Sequence, residues 1–175
     1  VQTCALPISA GGGTSSQLSG ELFNQMTGAK LTHIPYKGAG FALQALIAGE
    51  VQSAFLSTTT ASAQVKTGRI KALAVLSPKR FSAAPDVPSA PESGLPGIES
   101  NVWFGLFAPA GTPKAIVARI NRDVVAALTH PDARDTLLSQ GAEAAPMTPD
   151  EFAVFLKKEI DKWGKVIKDA GIRSE

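Results

Sequence analysis

The stretch LTHIPYKGAGFALQALIAGEVQSAFL, residues 31–56, decides the fold. Leu31 to Pro35 reads as a short strand. Phe41, Leu43, Leu46 and Ile47 then recur at the spacing of one helix face, Gly49 ends that helix, and Val51 to Leu56 returns to a strand pattern. Strand, helix and strand in so short a span form a βαβ unit, and repeated units build a mostly parallel sheet. The turn Pro35-Tyr36-Lys37-Gly38 leaves a strand and enters a helix. It therefore falls at the carboxyl edge, where open α/β sheets hold their ligands.

Working outward, the same alternation continues. Upstream, Ser9 to Ser16 is a Gly/Ser/Thr loop, and Leu18, Leu22, Phe23 and Met26 mark a helix stopped by Gly28. Downstream, Thr59 to Lys66 is a short helix closed at Gly68, and Ile70 to Leu76 has the apolar run of a buried strand. Ser77 to Pro96 holds five prolines and few large apolar residues, which fits either a long ordered connection or a linker. Ile98 to Phe107 is an extended apolar segment with Trp103 and Phe104. Thr112 is then placed to N-cap a helix whose first residue is Pro113 and which runs to about Leu128. Pro131 to Ser139 is a further helix stopped at Gly141. Thr148-Pro149-Asp150-Glu151 is a capping box for a terminal helix with Phe152, Phe155, Leu156, Ile160, Trp163, Val166 and Ile167 on one face.

Composition excludes several function classes. The 175 residues are 44% hydrophobic and 18% charged, ordinary for a globular chain. Seventeen basic against fifteen acidic side chains give a net charge of +2, and the basic residues are scattered, unlike the massed charge of a nucleic-acid binder. Cys4 is the single cysteine, and His33 and His130 lie far apart, so no metal site and no internal disulfide is expected. Charges, glycines and prolines interrupt every apolar run well short of the roughly 18 residues of a membrane span.

Val1 to Ile8 reads as a sequencing adapter translated in frame (GTT CAG ACG TGT GCT CTT CCG ATC), so residues 1–8 are expected to be an artefact outside the fold, Cys4 included. The alternative is a native apolar strand.

The candidate chemistry lies in three polar turns. Gly11-Gly12-Gly13-Thr14-Ser15-Ser16 offers hydroxyls and open backbone amides at the positive end of a helix, which suits a carboxylate or phosphate. It half-resembles a dinucleotide fingerprint, yet Ser16 stands at the third glycine position and no Gly-Lys-Ser/Thr follows. A plain capping loop is the competing reading. Tyr36 and Lys37 occupy the next turn, where Lys37 either meets an anion or is simply solvated. Ser57 and Thr58 follow the third strand, with hydroxyls fit either for a carboxylate or for capping the next helix. The candidate ligand-binding residues are thus Gly12, Gly13, Thr14, Ser15, Tyr36, Lys37, Ser57 and Thr58. No Gly-x-Ser-x-Gly elbow and too few bases are present for a nucleophilic hydrolase, so no catalytic residue is expected. Trp103 and Trp163 read as core, and Asp150, Glu151, Glu159 and Asp161 as solvated helix-surface carboxylates.

The motifs in their order also resemble a known family. Ser9 to Phe23, His33-Ile34-Pro35-Tyr36-Lys37-Gly38, Lys71-Ala72-Leu73-Ala74-Val75, Pro85-Asp86-Val87-Pro88, Glu92-Ser93-Gly94-Leu95-Pro96-Gly97, Trp103-Phe104-Gly105-Leu106, Ala108-Pro109-Ala110-Gly111-Thr112-Pro113 and Trp163-Gly164-Lys165-Val166 are similar to the Bug family, the substrate-binding proteins of tripartite tricarboxylate transporters. The resemblance covers nearly everything after Ile8. It implies an α/β fold of the periplasmic binding protein type II kind, a mostly parallel sheet flanked by helices, in two lobes that close on a small organic carboxylate. It also implies a periplasmic location, membrane transporter components as partners, no nucleic acid, no cofactor and a monomeric full-length form.

Because family members are about twice as long, the resemblance makes residues 9–100 the second lobe. Residues 101–175 become a crossover segment and C-terminal helices completing the first lobe, and the signal peptide and most of that first lobe are expected to be missing. The loop at Gly13-Thr14-Ser15 matches the family loop that holds a ligand carboxylate. Relatives often carry Asp where this chain has Gln52 and Leu56, and Asn where it has Ser57, so the resemblance favours a plain carboxylate over an amino acid. Two other functions stay open: an α/β enzyme using the glycine loop for a nucleotide cofactor, and a sensory or interaction domain on the same fold.

Overall fold

The computed structural model describes residues 7–9, 11 and 13–172. The chain divides into two compact units, Val1–Val102 with Lys165–Glu175, and Trp103–Gly164.

The first unit is built on βαβ repetition. Its elements are β1 (Pro7–Ser9), α1 (Ser15–Thr27), β2 (Ile34–Pro35), α2 (Ala39–Ala48), β3 (Ser53–Ala54) and α3 (Thr58–Lys66). The sheet order is β2-β1-β3 and every pairing is parallel, with Ile8 opposite Ile34 on one side and opposite Ala54 on the other. Pro7 and Ile8 therefore belong to the central strand. Setting residues 1–8 aside from the fold is corrected to that extent, because without those two residues β2 and β3 would have no common neighbour.

Alternation along the third strand and its exit divides the packing between the two faces of the sheet. Ala54 and Leu56 pack against a buried cluster of Ala42, Ala45 and Val51 on the α2 side, together with Ile34, Tyr36 and Leu46. Phe55 points the other way, toward α1, where its ring centroid lies 5.8 Å from that of Phe23. A Cβ on Gly20 would sit 3.5 Å from the Phe55 ring, so the small residue lets helix and strand approach.

Two expectations need correction here. Ile70 to Leu76 is not a buried strand: it makes one parallel bridge, Val75 with Ser89, and Leu73 is 70% exposed. An apolar run becomes a strand only where another backbone lies alongside, and beyond Ile70 this run meets only the bridge at Val75 and a single bond from Ser100 to Leu76. His33 precedes β2 and is not part of it. The proline-rich stretch resolves to an ordered connection. Val87, Ala90 and Ile98 are buried, Ser100 N–H donates to Leu76 O at 2.8 Å, and the Ser100 and Ser19 hydroxyls are 2.6 Å apart. A short 3-10 turn, Pro91–Ser93, aims Glu92 at Arg80 and at the Ser89 amide and hydroxyl. The Arg80 bond, reinforced by both Ser89 groups, holds the Glu92 carboxyl down to about 2.

The second unit holds α4 (Lys114–Thr129), α5 (Pro131–Ser139) and most of α6 (Pro149–Asp169), whose last residues from Lys165 belong to the first unit. α4 starts one residue later than expected. Pro113 keeps an extended backbone (φ −55°, ψ 135°), and the Thr112 hydroxyl donates to Pro109 O at 2.8 Å, closing the preceding turn in place of capping the helix. The capping box of α6 forms as read: Thr148 N–H and Oγ1 each lie 2.8 Å from Glu151 Oε2, and Glu151 N–H returns to Thr148 Oγ1 at 3.2 Å.

Aromatic packing organises this unit. Trp103 stands edge-on to Phe152 and Phe155, with centroids 5.8 and 5.3 Å away. Glu159 is not a solvated carboxylate. Its Oε2 accepts from the indole N–H groups of Trp103 (3.2 Å) and Trp163 (3.0 Å), and Oε1 pairs with Lys162. Burial pushes its carboxyl upward, but the bonds from Lys162, Trp163 and Trp103 together outweigh that and leave it below the usual range.

Candidate functional site

Because β1, β2 and β3 run parallel, their exits open on one edge of the sheet, and the central position of β1 puts its loop between the other two. The loop before Ser15, the turn Tyr36–Gly38 and the turn Phe55–Ser57 thus share that edge. Loops one and two are close: a Cβ on Gly11 would lie 3.4 Å from Tyr36 O. The same edge receives the N-termini of α1, α2 and α3, and none of the three has an acidic residue in its first turn. Three positive helix ends therefore meet one sheet edge without a carboxylate of their own to answer them.

The individual candidates differ in their exposure and in the bonds they make. Gly12 lies outside the described residues. Gly13 has φ +71°, a conformation that L side chains rarely adopt, and its N–H donates to Gln17 Oε1 at 2.7 Å. Thr14 is the N-cap by backbone alone: its carbonyl accepts Leu18 N–H, while its hydroxyl donates to Gly11 O at 2.8 Å and braces the loop. Ser15 opens α1 and is exposed, as are Lys37 in the middle turn and Thr58 at the start of α3.

Tyr36 and Ser57 are engaged structurally. The Tyr36 ring packs against the Ala42, Ala45 and Val51 cluster, and its hydroxyl donates to Glu50 Oε2 at 3.4 Å, past the C-terminal end of α2. Burial, then Glu50, raises its phenol. Ser57 is the N-cap of α3; its Oγ accepts Thr60 N–H at 3.3 Å and lies 2.9 and 2.8 Å from the Thr59 and Thr60 hydroxyls. Of the two readings of Ser57, capping is the one its hydroxyl performs. Leu56, where relatives were expected to carry Asp, lies against the α2 cluster.

The sequence reading missed Gln17. Its amide oxygen occupies the Gly13 N–H from one turn into α1, and the four-residue separation was the available signal. It also missed Asn24, which ties α1 to the approach to β2 through Leu31 N–H (3.0 Å) and Leu31 O (3.3 Å). His33 sits partly buried in a recess with Glu21 and Phe55, where burial lowers its pKa and Glu21 opposes the shift. Among the described residues no group of His, Cys, Asp or Glu could hold a metal, and no helix is long and apolar enough to cross a membrane.

Comparison with known proteins gives one consistent answer. The family model described as tripartite tricarboxylate transporter family receptor matches residues 7–172. BugT of Bordetella pertussis is 34% identical over 161 residues, covering 92% of this chain and 49% of BugT. The solved structure of R. palustris Rpa4515 with adipate is similar at 34% identity and a TM-score of 0.83, covering 95% of this chain and 56% of that one. MatC of Rhodopseudomonas palustris with bound malate is similar at 34% identity and a TM-score of 0.75, covering 93% and 56%. The chain spans about half the length of most curated relatives it matches.

Proposed function

The chain belongs to the tripartite tricarboxylate transporter receptor family, and from that premise we propose that it is part of an extracytoplasmic solute-binding protein that captures a small organic carboxylate. In this reading residues 9–100 are one ligand-binding lobe, and residues 101–175 are a crossover and the C-terminal helices of the other. The carboxylate meets the α1 end at Gly13, Thr14 and Ser15, with Lys37 and Thr58 at the flanking turns. The single observation that carries the reading is the set of three helix N-termini at one sheet edge, none with an acidic first turn. Adipate and malate, held by two similar proteins, are both small dicarboxylates.

Energetics support reading this edge as half of a clamp. An anion gains about 0.3–1 kcal/mol at a helix N-terminus, and up to roughly 2 when partly buried. Micromolar affinity needs about 8 kcal/mol. Closure of a second lobe supplies the remainder by excluding water and adding hydrogen bonds, and the ligand favours the closed state because those bonds exist only there. The protein performs no catalysis; it works in the periplasm as a monomer and delivers its ligand to the transporter's membrane components.

Calorimetry of the complete gene product against a panel of mono-, di- and tricarboxylates tests this, with nucleotide cofactors as the counter-panel. Heat with at least one carboxylate and none with nucleotides is expected. Heat with a nucleotide alone would transfer the glycine loop to the enzyme reading.

A further inference from the structure

The motif Lys71-Ala72-Leu73-Ala74-Val75 takes no part in ligand capture, and most of its backbone is unused. Val75 N–H donates to Pro88 O at 2.9 Å, whereas the N–H and C=O groups of Lys71 to Ala74 take no hydrogen-bond partner among the described residues. Exposure alternates along the run as it does on a strand. Lys71 and Leu73 are exposed, Leu73 by 70%, while Ala72 and Ala74 are half-buried. The segment has the form of a strand edge that lacks a neighbour.

Charge around this edge is of one sign. From residue 51 to residue 85 the chain holds five basic residues and no acidic one. Arg80 is taken by Glu92 and by Pro85 O. Lys66, Arg69, Lys71 and Lys79 are exposed and make no ion pair among the described residues. The N–H groups of Arg69 and Ile70 donate back to Gln64 O at 2.9 and 3.4 Å, which folds the end of α3 against the start of the edge and holds Arg69 there. We propose that residues 71–74 are a docking edge for an extended acidic segment of a partner protein. The segment adds as a strand: its backbone completes the ladder, its carboxylates meet Arg69 and Lys71 within the surrounding charge of Lys66 and Lys79, and an apolar side chain covers Leu73. Charge complementarity selects this occupant. A second copy would set Arg69 and Lys71 against like charges, and an anionic membrane would answer the charge yet leave the amides and carbonyls unpaired. The edge also lies away from the ligand turns, because α3 begins beside them at Thr58 and ends nine residues, or roughly 13 Å, later at Lys66. Docking here goes beyond the carboxylate reading and does not depend on it.

The test titrates the complete gene product, without carboxylate, into a fluorescein-labelled peptide of alternating glutamate and valine and follows anisotropy, so a protein that binds no carboxylate can still pass. Saturable binding is expected. Arg69→Glu with Lys71→Glu should weaken it roughly tenfold, the factor that reversing two cross-strand charge pairs implies. N-methylation of alternate peptide amides keeps the charge and removes the ladder, and should weaken binding at least as much. If the double variant does not fold, Lys66→Glu with Lys79→Glu must weaken binding in the same direction by a smaller factor. The proposal is overturned by an absence of saturable binding, as when the edge is covered by the protein's own chain or by a second copy. Equal binding of the N-methylated peptide, undiminished binding by a folded double variant, or binding to vesicles of phosphatidylserine and phosphatidylcholine in place of the peptide would overturn it too.

Discussion

Gly105 has no room for a side chain. A Cβ there would lie 2.5 Å from Phe152 Cζ, inside the cluster that holds Trp103. Gly105→Ala should cost about 1–3 kcal/mol, the usual penalty of overpacking, read from the midpoint of a denaturant melt. Glu92 provides a pH test. Its folded value of about 2 lies below the ordinary 4.5, so its stabilisation is complete above pH 4.5 and is lost as the pH falls toward 2. Arg80→Met should flatten the acid side of the curve of thermal midpoint against pH, because the largest cause of the depression is the Arg80 bond. Residue roles were unevenly legible. The Thr148–Glu151 reciprocity is local and could be read from spacing. The engagement of Tyr36 with Glu50, and of Glu159 with the Trp103 indole, depends on tertiary contacts that no local pattern encodes.

At the scale of elements, helices were legible and strands were less so. α1, α2 and α5 carry their periodicity and their stop signals in the chain itself: α1 and α2 end beside Gly28 and Gly49, and α5 ends two residues before Gly141. Strands depend on a partner backbone, which is why Ile70 to Leu76 looked like a strand and forms only the Val75–Ser89 bridge. Pro7 and Ile8 went the other way, set aside as adapter yet paired in the sheet, Pro7 with Ser53 and Ile8 with both Ile34 and Ala54. The capping box allows a quantitative check: Thr148→Ala should destabilise α6 by about 1 kcal/mol, through loss of a satisfied first-turn amide. Amide exchange in the first turn of α6 should accelerate while that of α4 stays unchanged.

For the whole molecule, the imbalance is in what faces water. Phe104 is 89% exposed, Leu106 68% and Phe107 60%. Apolar side chains so close in sequence and so exposed favour self-association. The 175-residue chain alone is therefore expected to sediment as aggregates; a monodisperse monomer with a sharp thermal transition would contradict this. The family could be read from the order of motifs across the chain, and the convergence of three loops on one edge followed from βαβ repetition. Which hydroxyls on that edge are taken up within the fold could not be read, because Ser57 caps α3 and Thr14 braces Gly11 only in the folded loop.

An anion met by several helix ends together must perturb all of them at once. The most direct measurement is amide chemical-shift mapping of the complete gene product during titration with whichever carboxylate binds by calorimetry. Coincident, saturable shifts at the first amides of α1, α2 and α3 are expected. Shifts confined to α4, α5 or α6, with the three N-termini silent at saturation, would contradict it.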